Sequence, residues 1–331
     1  MSYAAAERGV APWVIEKDLW VCWLLARLHE VPSIPGLTFK GGTSLSKVHG
    51  LIHRFSEDID LTFSRDGWGF EGDRDPLGEG LSGKQRARLV DEIAQRSVAV
   101  VRQIVVPGLQ QICRDALGER GWAIEIADDD AQAVLFRYPS PSAPYTYGAP
   151  VVKAEFGARG DPWPTVAQVV KPYLEEMVPG IAEAATVVVT TLSAERTFWE
   201  KATLLHALHH GTLTHPEKRV DRLSRHVYDI HQMWANVGVQ RCLRDDRGLL
   251  RAVVGNKLVF FREGKAKYEL VDQFVLNATP HVRLEEQLRS DYVAMRTMFF
   301  PDAQVPPFEA LLATLHEVDA AVAAWALGGD R

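Results

Sequence analysis

Residues 39–63 read FKGGTSLSKVHGLIHRFSEDIDLTF, and the order of residue types in this stretch decides the fold. A glycine pair lets a backbone turn tightly and approach a ligand closely. Gly41 and Gly42 stand before Thr43 and Ser44, residue types that cap helix N-termini, and "SLSKVHGLI" reads as a short helix. A helix starting there would present backbone N–H groups suited to phosphate. The spacing is not that of a P-loop, because Lys47 follows no second glycine. Downstream, "DIDLTF" alternates as a strand does and places Asp58 and Asp60 on one face, with Ile59 and Leu61 toward the core. Two carboxylates a few ångströms apart suit Mg²⁺, which binds through one or two carboxylates plus phosphate and water. With a third carboxylate two metals could be clamped, one activating the attacking oxygen and the other holding the leaving pyrophosphate.

Outward from this stretch, "PWVIEKDLWVCWLLARLHEV" has helical apolar spacing and reads as a largely buried helix. "SIPGLTF" turns into a short strand that the double glycine ends. Residues 66–84 are rich in Gly and Asp and read as a loop, and residues 85–118 are helical. "GWAIEI", "AVLFRY", "PVVKAEF" and "ATVVVTTL" read as strands, with the Pro-rich "YPSPSAPYTYGAP" as a loop or hairpin between two of them. After about residue 193 the pattern is helical. The expected organisation is an α/β (α+β) part over 1–193 and a mainly helical part over 194–331, with a ligand cleft where they meet.

Composition limits the function classes. The 331 residues are 47% hydrophobic and 24% charged, with a formal net charge of -6, which argues against a general nucleic-acid coat. Cys22, Cys113 and Cys242 are scattered, odd in number and without a CxxC, as suits a reducing cytoplasm. The N-terminus lacks the pattern of a secretory signal. The apolar stretch "LWVCWLLARL" is too short to span a bilayer, so no membrane partner is expected.

Taken together, "KGGTSLSKVHGLIHRFSEDIDLTF" resembles motif I of the AbiEii/AbiGii nucleotidyltransferase toxins, a branch of the DNA polymerase β-like nucleotidyltransferase superfamily. "VIEKDLWVCWLLARL" resembles the family's N-terminal helix, and "LSAERTFWEKATLLHAL" and "RLSRHVYDIHQM" resemble its later lysine and aspartate motifs. The G-[ST]…D-x-D part is common across the superfamily, whereas R-x-S-E-D-I-D-L and the later motifs are specific to the toxin-like branch.

The resemblance implies a polymerase β-like core with a small mixed sheet, followed by a helical domain that contributes Lys201 and Asp229. It implies NMP transfer from an NTP to an acceptor, with tRNA 3′ ends among the family's acceptors, by the toxin of a bacterial toxin–antitoxin or abortive-infection pair. Asp58 and Asp60 would then hold Mg²⁺, or Mn²⁺ in its place. Gly41, Gly42, Thr43 and Ser44 would hold the phosphates, with Arg54 and Ser56 beside them. A phosphate on Ser56 would add negative charge next to the metals. Lys201 would be catalytic and Asp229 would orient it, or orient the nucleotide through an arginine. A cognate antitoxin is the implied protein partner.

Each residue also has a plainer reading. Glu155 is the candidate third acid, yet Lys153 and Glu155 share a strand face and would also make a surface pair. Arg159 would touch a phosphate or only decorate its loop. Lys201 has Glu200 adjacent and Glu195 six residues away, and neither spacing makes a helical pair. Asp229 would alternatively pair with Arg225 on an exposed face. Lys218, Arg219, Arg222 and Arg225 form a basic run that would meet RNA or simply be solvated. His206, His209, His210 and His215 lack an HExxH glutamate and read as satisfied helix-surface histidines. Two other functions remain open: a transferase acting on a small molecule or protein, and a non-catalytic nucleotide-binding regulator.

Overall fold

The computed structural model describes residues 1–140, 149–215 and 221–327. Most of the Pro-rich segment and both Lys218 and Arg219 therefore lie outside the described residues. The chain divides into two compact units. The first comprises Met1–Gly50, Phe55–Leu192 and Phe300–Asp302; the second comprises Leu51–Arg54, Ser193–Phe299 and Ala303–Arg331.

The first unit is built on a seven-stranded mixed sheet. Its strands are β1 (Leu37–Lys40), β2 (Ile59–Phe63), β3 (Ala123–Ile126), β4 (Ala133–Arg137), β5 (Val151–Gly157), β6 (Thr165–Val170) and β7 (Val187–Leu192). They lie in the order β3-β4-β5-β2-β1-β7-β6. β1 runs antiparallel to β2 and parallel to β7, and β2 runs parallel to β5. Alternation sorts the faces of the central strands. Phe39, Ile59, Leu61, Phe63, Val152, Ala154 and Phe156 are buried, and Phe63 stacks on Phe156 with ring centroids 5.4 Å apart. The helix Pro12–Leu28 supplies Trp20 and Trp23, which stack on Tyr138 and Phe136. Each large apolar side chain buried this way contributes about 1.5–3 kcal/mol.

The sheet's other face carries the polar set. Lys40 pairs with Asp60 across β1–β2, and Asp60 pairs with Glu155 across β2–β5. Three adjacent strands thus line up Lys40, Asp60 and Glu155 in one row.

Three local expectations need correction. Asp58 is not on β2 but precedes it, because its carbonyl accepts a hydrogen bond from the Thr43 hydroxyl at 2.5 Å. The short helix runs from Gly41 to Lys47, and the chain beyond Val48 is irregular. The strand Thr165–Val170 and the helix Ser2–Arg8 carry no clear period in the sequence. Among the described residues β6 pairs only with β7 at the sheet edge, and it is exposed over most of its length, so burial imposes little pattern on it.

Helices make up the second unit. Ala194–Thr214 begins at the Ser193 cap, whose hydroxyl accepts from the Arg196 amide at 3.2 Å. Ser224–Ala235 is capped from a distance: the Asp291 carboxylate accepts from the amides of Arg222 and Ser224 at 2.8 and 2.7 Å. Among the described residues the helix Phe308–Leu327 is long and apolar enough to cross a membrane by length and composition. It is tied into the unit by polar contacts. Glu317 accepts from the Trp234 indole at 2.9 Å, Thr314 bonds His231 at 2.7 Å, and Asp319 accepts from the amides of Ala278 and Thr279 at 2.8 and 3.0 Å.

Candidate active site

In the first unit the acid-bearing turn is held by backbone geometry. Gly41 has φ +79°, a conformation that L side chains adopt only at a cost. A Cβ there would collide with the Asp60 carboxylate, whose Cγ would lie 2.7 Å away. The glycine therefore does two things: it makes the left-handed turn, and it lets the Asp60 carboxylate lie against the backbone at the start of the short helix. Thr43 and Ser44 are buried, and their hydroxyls are used inside the turn. Thr43 Oγ1 lies 3.0 Å from Ser56 Oγ besides donating to Asp58, and Ser44 Oγ donates to the Gly41 carbonyl at 2.9 Å. The hydroxyls thus brace the loop that presents Asp58 and Asp60.

Lys47, at the other end of the short helix, is an anchor. Its buried ammonium pairs with Asp18 Oδ1 at 2.8 Å and lies 3.6 Å from the centroid of the Tyr173 ring. Burial alone would lower its pKa, but Asp18 beside it more than offsets this and holds it above the ordinary lysine value. Asp18 also accepts from the Tyr173 amide at 2.6 Å. Nothing in the local spacing signals this anchor, because Asp18 and Lys47 come from different elements.

Asp58 and Asp60 are half-buried. Glu155 is Asp60's neighbour in register, but its carboxylate meets Lys153 Nζ at 2.5 Å. The hydrogen bond to Glu155, and then the charges of Glu155, Asp58 and Asp129, hold the Lys153 ammonium above its ordinary pKa. Two carboxylates plus substrate phosphate oxygens suffice for Mg²⁺, and Asp58 and Asp60 fit that need. Among the described residues no group of three or more His, Cys, Asp or Glu side chains is arranged to hold a metal ion. Arg159 is exposed.

The second unit holds a cluster that spacing alone does not disclose. Arg54 grips Asp229 with both arms of its fork, Nε to Oδ1 and Nη2 to Oδ2, each at 2.8 Å. Lys201 Nζ meets the same Asp229 Oδ2 at 3.0 Å and His226 Nδ1 at 3.2 Å. Arg54, Lys201 and Asp229 are buried, Asp229 completely. The alternative of an exposed Arg225–Asp229 pair is thereby replaced, since Asp229 lies on the helix's buried side with Val227, Tyr228 and Ile230. Burial acts to raise the Asp229 pKa, but the charges of Arg54 and Lys201 overcome it and hold the carboxyl well below the usual carboxylate range. Burial lowers the Lys201 pKa; Asp229 opposes the shift and Arg54 adds to it. Glu200, the sequence neighbour, bonds Arg196 instead at 3.4 Å.

His206, His209 and His210 are hydrogen-bonded and at least half-buried, whereas His215 is exposed. His206 is buried, with Nε2 at 3.0 Å from the Lys267 carbonyl and Nδ1 accepting from the Asn277 amide at 3.0 Å. His209 and His210 bond the Thr279 carbonyl and Asn277 Oδ1 at 2.8 and 3.0 Å.

Comparison with known proteins gives the site its context. No curated protein matches the chain significantly. Among solved structures, MenT4, a nucleotidyltransferase toxin from Mycobacterium tuberculosis H37Rv, aligns with a TM-score of 0.45 and 17% identity over 98% of each chain. The family model described as nucleotidyl transferase AbiEii toxin, type IV TA system, matches residues 23–314. That span holds the acid-bearing turn, the lysine helix and the aspartate helix, and the chain belongs to the AbiEii family of nucleotidyltransferase toxins of type IV toxin–antitoxin systems.

Proposed function

We propose that this nucleotidyltransferase is a Mg²⁺-dependent toxin that transfers NMP from an NTP to the 3′ end of tRNA in the cytoplasm, and so blocks translation until a cognate antitoxin counters it. The observation that carries the metal–nucleotide reading is the packing of the Asp60 carboxylate against the Gly41 turn. It brings an acid and a tight backbone turn together, the two features that a metal-bound triphosphate needs. The RNA acceptor follows from the toxin-like motifs.

In this reading Asp58 and Asp60 hold Mg²⁺. The metal supplies Lewis-acid neutralisation of phosphate charge when bound. The backbone of Gly41, Gly42, Thr43 and Ser44 cradles the phosphates, while the hydroxyls of Thr43, Ser44 and Ser56 keep the turn and the acid loop in register. Glu155, paired with Lys153 through one carboxylate oxygen, would be the third acid. Lys201 offsets the charge that develops as pyrophosphate leaves. Asp229 orients Lys201, and Arg54 fixes Asp229. Arg54 therefore acts through Asp229 rather than by gripping nucleotide with the same two nitrogens.

The test is transfer of label from each of the four α-phosphate-labelled NTPs, with Mg²⁺ and total bacterial RNA, beside an Asp58→Ala, Asp60→Ala protein. Label in a tRNA-sized band that the variant fails to make, a loss on the order of 10³-fold or more, supports the reading and names the base. Label in a small molecule or protein overturns the acceptor. Equal labelling by the variant overturns the assignment of the two acids.

A further inference from the structure

We propose that His226 is a positioning residue for Lys201, fixing where its ammonium points and doing so only while the imidazole is neutral. The inference rests on the reading of Lys201 as the group that meets substrate phosphate.

A lysine ammonium has three N–H donors and no acceptor. Lys201 Nζ stands 3.0 Å from Asp229 Oδ2 and 3.2 Å from His226 Nδ1. Facing a group that can only donate, Nδ1 must be the acceptor, which puts the imidazole proton on Nε2. Two of the three N–H directions are then spoken for. The two anchors differ in stiffness. Asp229 is clamped by both arms of Arg54 at 2.8 Å each, so it is a fixed post. His226 supplies the second direction, and two directions on a tetrahedral nitrogen determine the third. A lysine held by Asp229 alone would keep its ion pair yet swing about that bond on a flexible four-carbon stem.

The same geometry makes the device sensitive to acid. A doubly protonated imidazole has no lone pair to offer Lys201. It would also add a cation to a group that already holds Lys201 on its own helix, Arg225 on the helix of His226, and Arg54 on the segment Leu51–Arg54, with Asp229 as the negative charge among them. Burial and these cations hold His226 well below the ordinary histidine range, so the accepting form is the resting one at neutral pH.

The experiment compares His226→Leu, which removes the acceptor, with His226→Asn, whose amide oxygen replaces Nδ1 and does not titrate. Label-transfer kcat and the KM for NTP are measured on the full chain from acid to neutral pH, with folding checked by thermal unfolding. His226→Leu is expected to lose kcat on the order of 10²-fold, as misplacement of a reacting group does, with little change in KM. His226→Asn should recover most of that loss and lack the acid limb that His226 gives the wild type. Should the Leu protein fail to fold, the Asn pH profile and the ¹⁵N-imidazole NMR tautomer of His226 in the wild type still decide. An Nδ1–H tautomer, or an unchanged acid limb in His226→Asn, overturns the proposal, as does full kcat in a folded His226→Leu protein. Lys201→Met separates the two layers. If it is fully active, the reading of Lys201 falls; if it is dead while His226→Leu is unimpaired, only the role of His226 falls.

Discussion

The acid-bearing turn of the first unit and the lysine cluster of the second present charged groups by opposite means. Asp58 and Asp60 are half-buried and held by backbone: a left-handed glycine, a strand register and a threonine hydroxyl on a carbonyl. Lys201, Asp229 and Arg54 are buried and held by one another. On the proposed reading the backbone-held acids meet a metal-bound nucleotide, so disturbing them should cost function more than stability. A buried ion cluster must stay complete, because any charge left without its partner is stranded away from water. Removing the central charge of the second region should therefore cost stability.

The largest effect on stability is expected at Asp229. Asp229→Ala strands the Arg54 and Lys201 charges, and losing one partner of a buried pair costs about 3–5 kcal/mol. Urea unfolding followed by tryptophan fluorescence measures this. A loss below about 1 kcal/mol, the range of exposed pairs, would erase the contrast between the two regions.

His206 should show the next largest effect. Burial lowers its pKa from 6.5 to about 4. Its folded value lies below its unfolded value, so its contribution is full above pH 6.5 and declines as pH falls toward about 4. The span corresponds to about 3 kcal/mol. The second unit should thus be acid-labile, and His206→Gln should flatten the pH dependence of its unfolding. Identical slopes for the two proteins would remove burial of neutral polar groups as a cause.

Gly41→Ala should have the smallest effect on stability and the most telling one. A side chain at φ +79° costs about 1–3 kcal/mol, and its Cβ displaces the Asp60 carboxylate. Transfer activity should fall on the order of 10²-fold in a protein that still unfolds cooperatively. If activity and stability fell in proportion, the backbone-held region would be no different in kind from the buried one.

The legibility of the two regions in the sequence follows the same contrast. Gly41, Thr43, Ser44, Asp58 and Asp60 lie within one short stretch, and their relations are set by turn chemistry and, for Asp60, by the two-residue period of β2. The sorting of Lys153 and Glu155 from Val152, Ala154 and Phe156 is readable for that reason too. What the stretch conceals is its division: Arg54 belongs to the second unit and Asp58 to the first, although only three residues lie between them in the chain. Asp229 offered Arg225 as a local partner at helical spacing, yet its actual partner is Arg54, from a distant segment. The edge strand Thr165–Val170 escaped because a strand paired on one side and exposed to solvent need not alternate.

By itself the sequence determined the local grammar of this protein: a glycine turn, two acids at alternate positions, a buried tryptophan-rich helix and a helical C-terminal half. These follow from φ/ψ preference and side-chain period, which act over a few residues. The tertiary structure alone decided that Asp60 lies against Gly41 and beside Glu155, that Lys153 takes the Glu155 carboxylate, that Asp18 anchors Lys47, and that Arg54, Lys201, His226 and Asp229 form one cluster. A buried charge takes its partner from whatever chain packing brings within reach, and that choice is made by the fold as a whole.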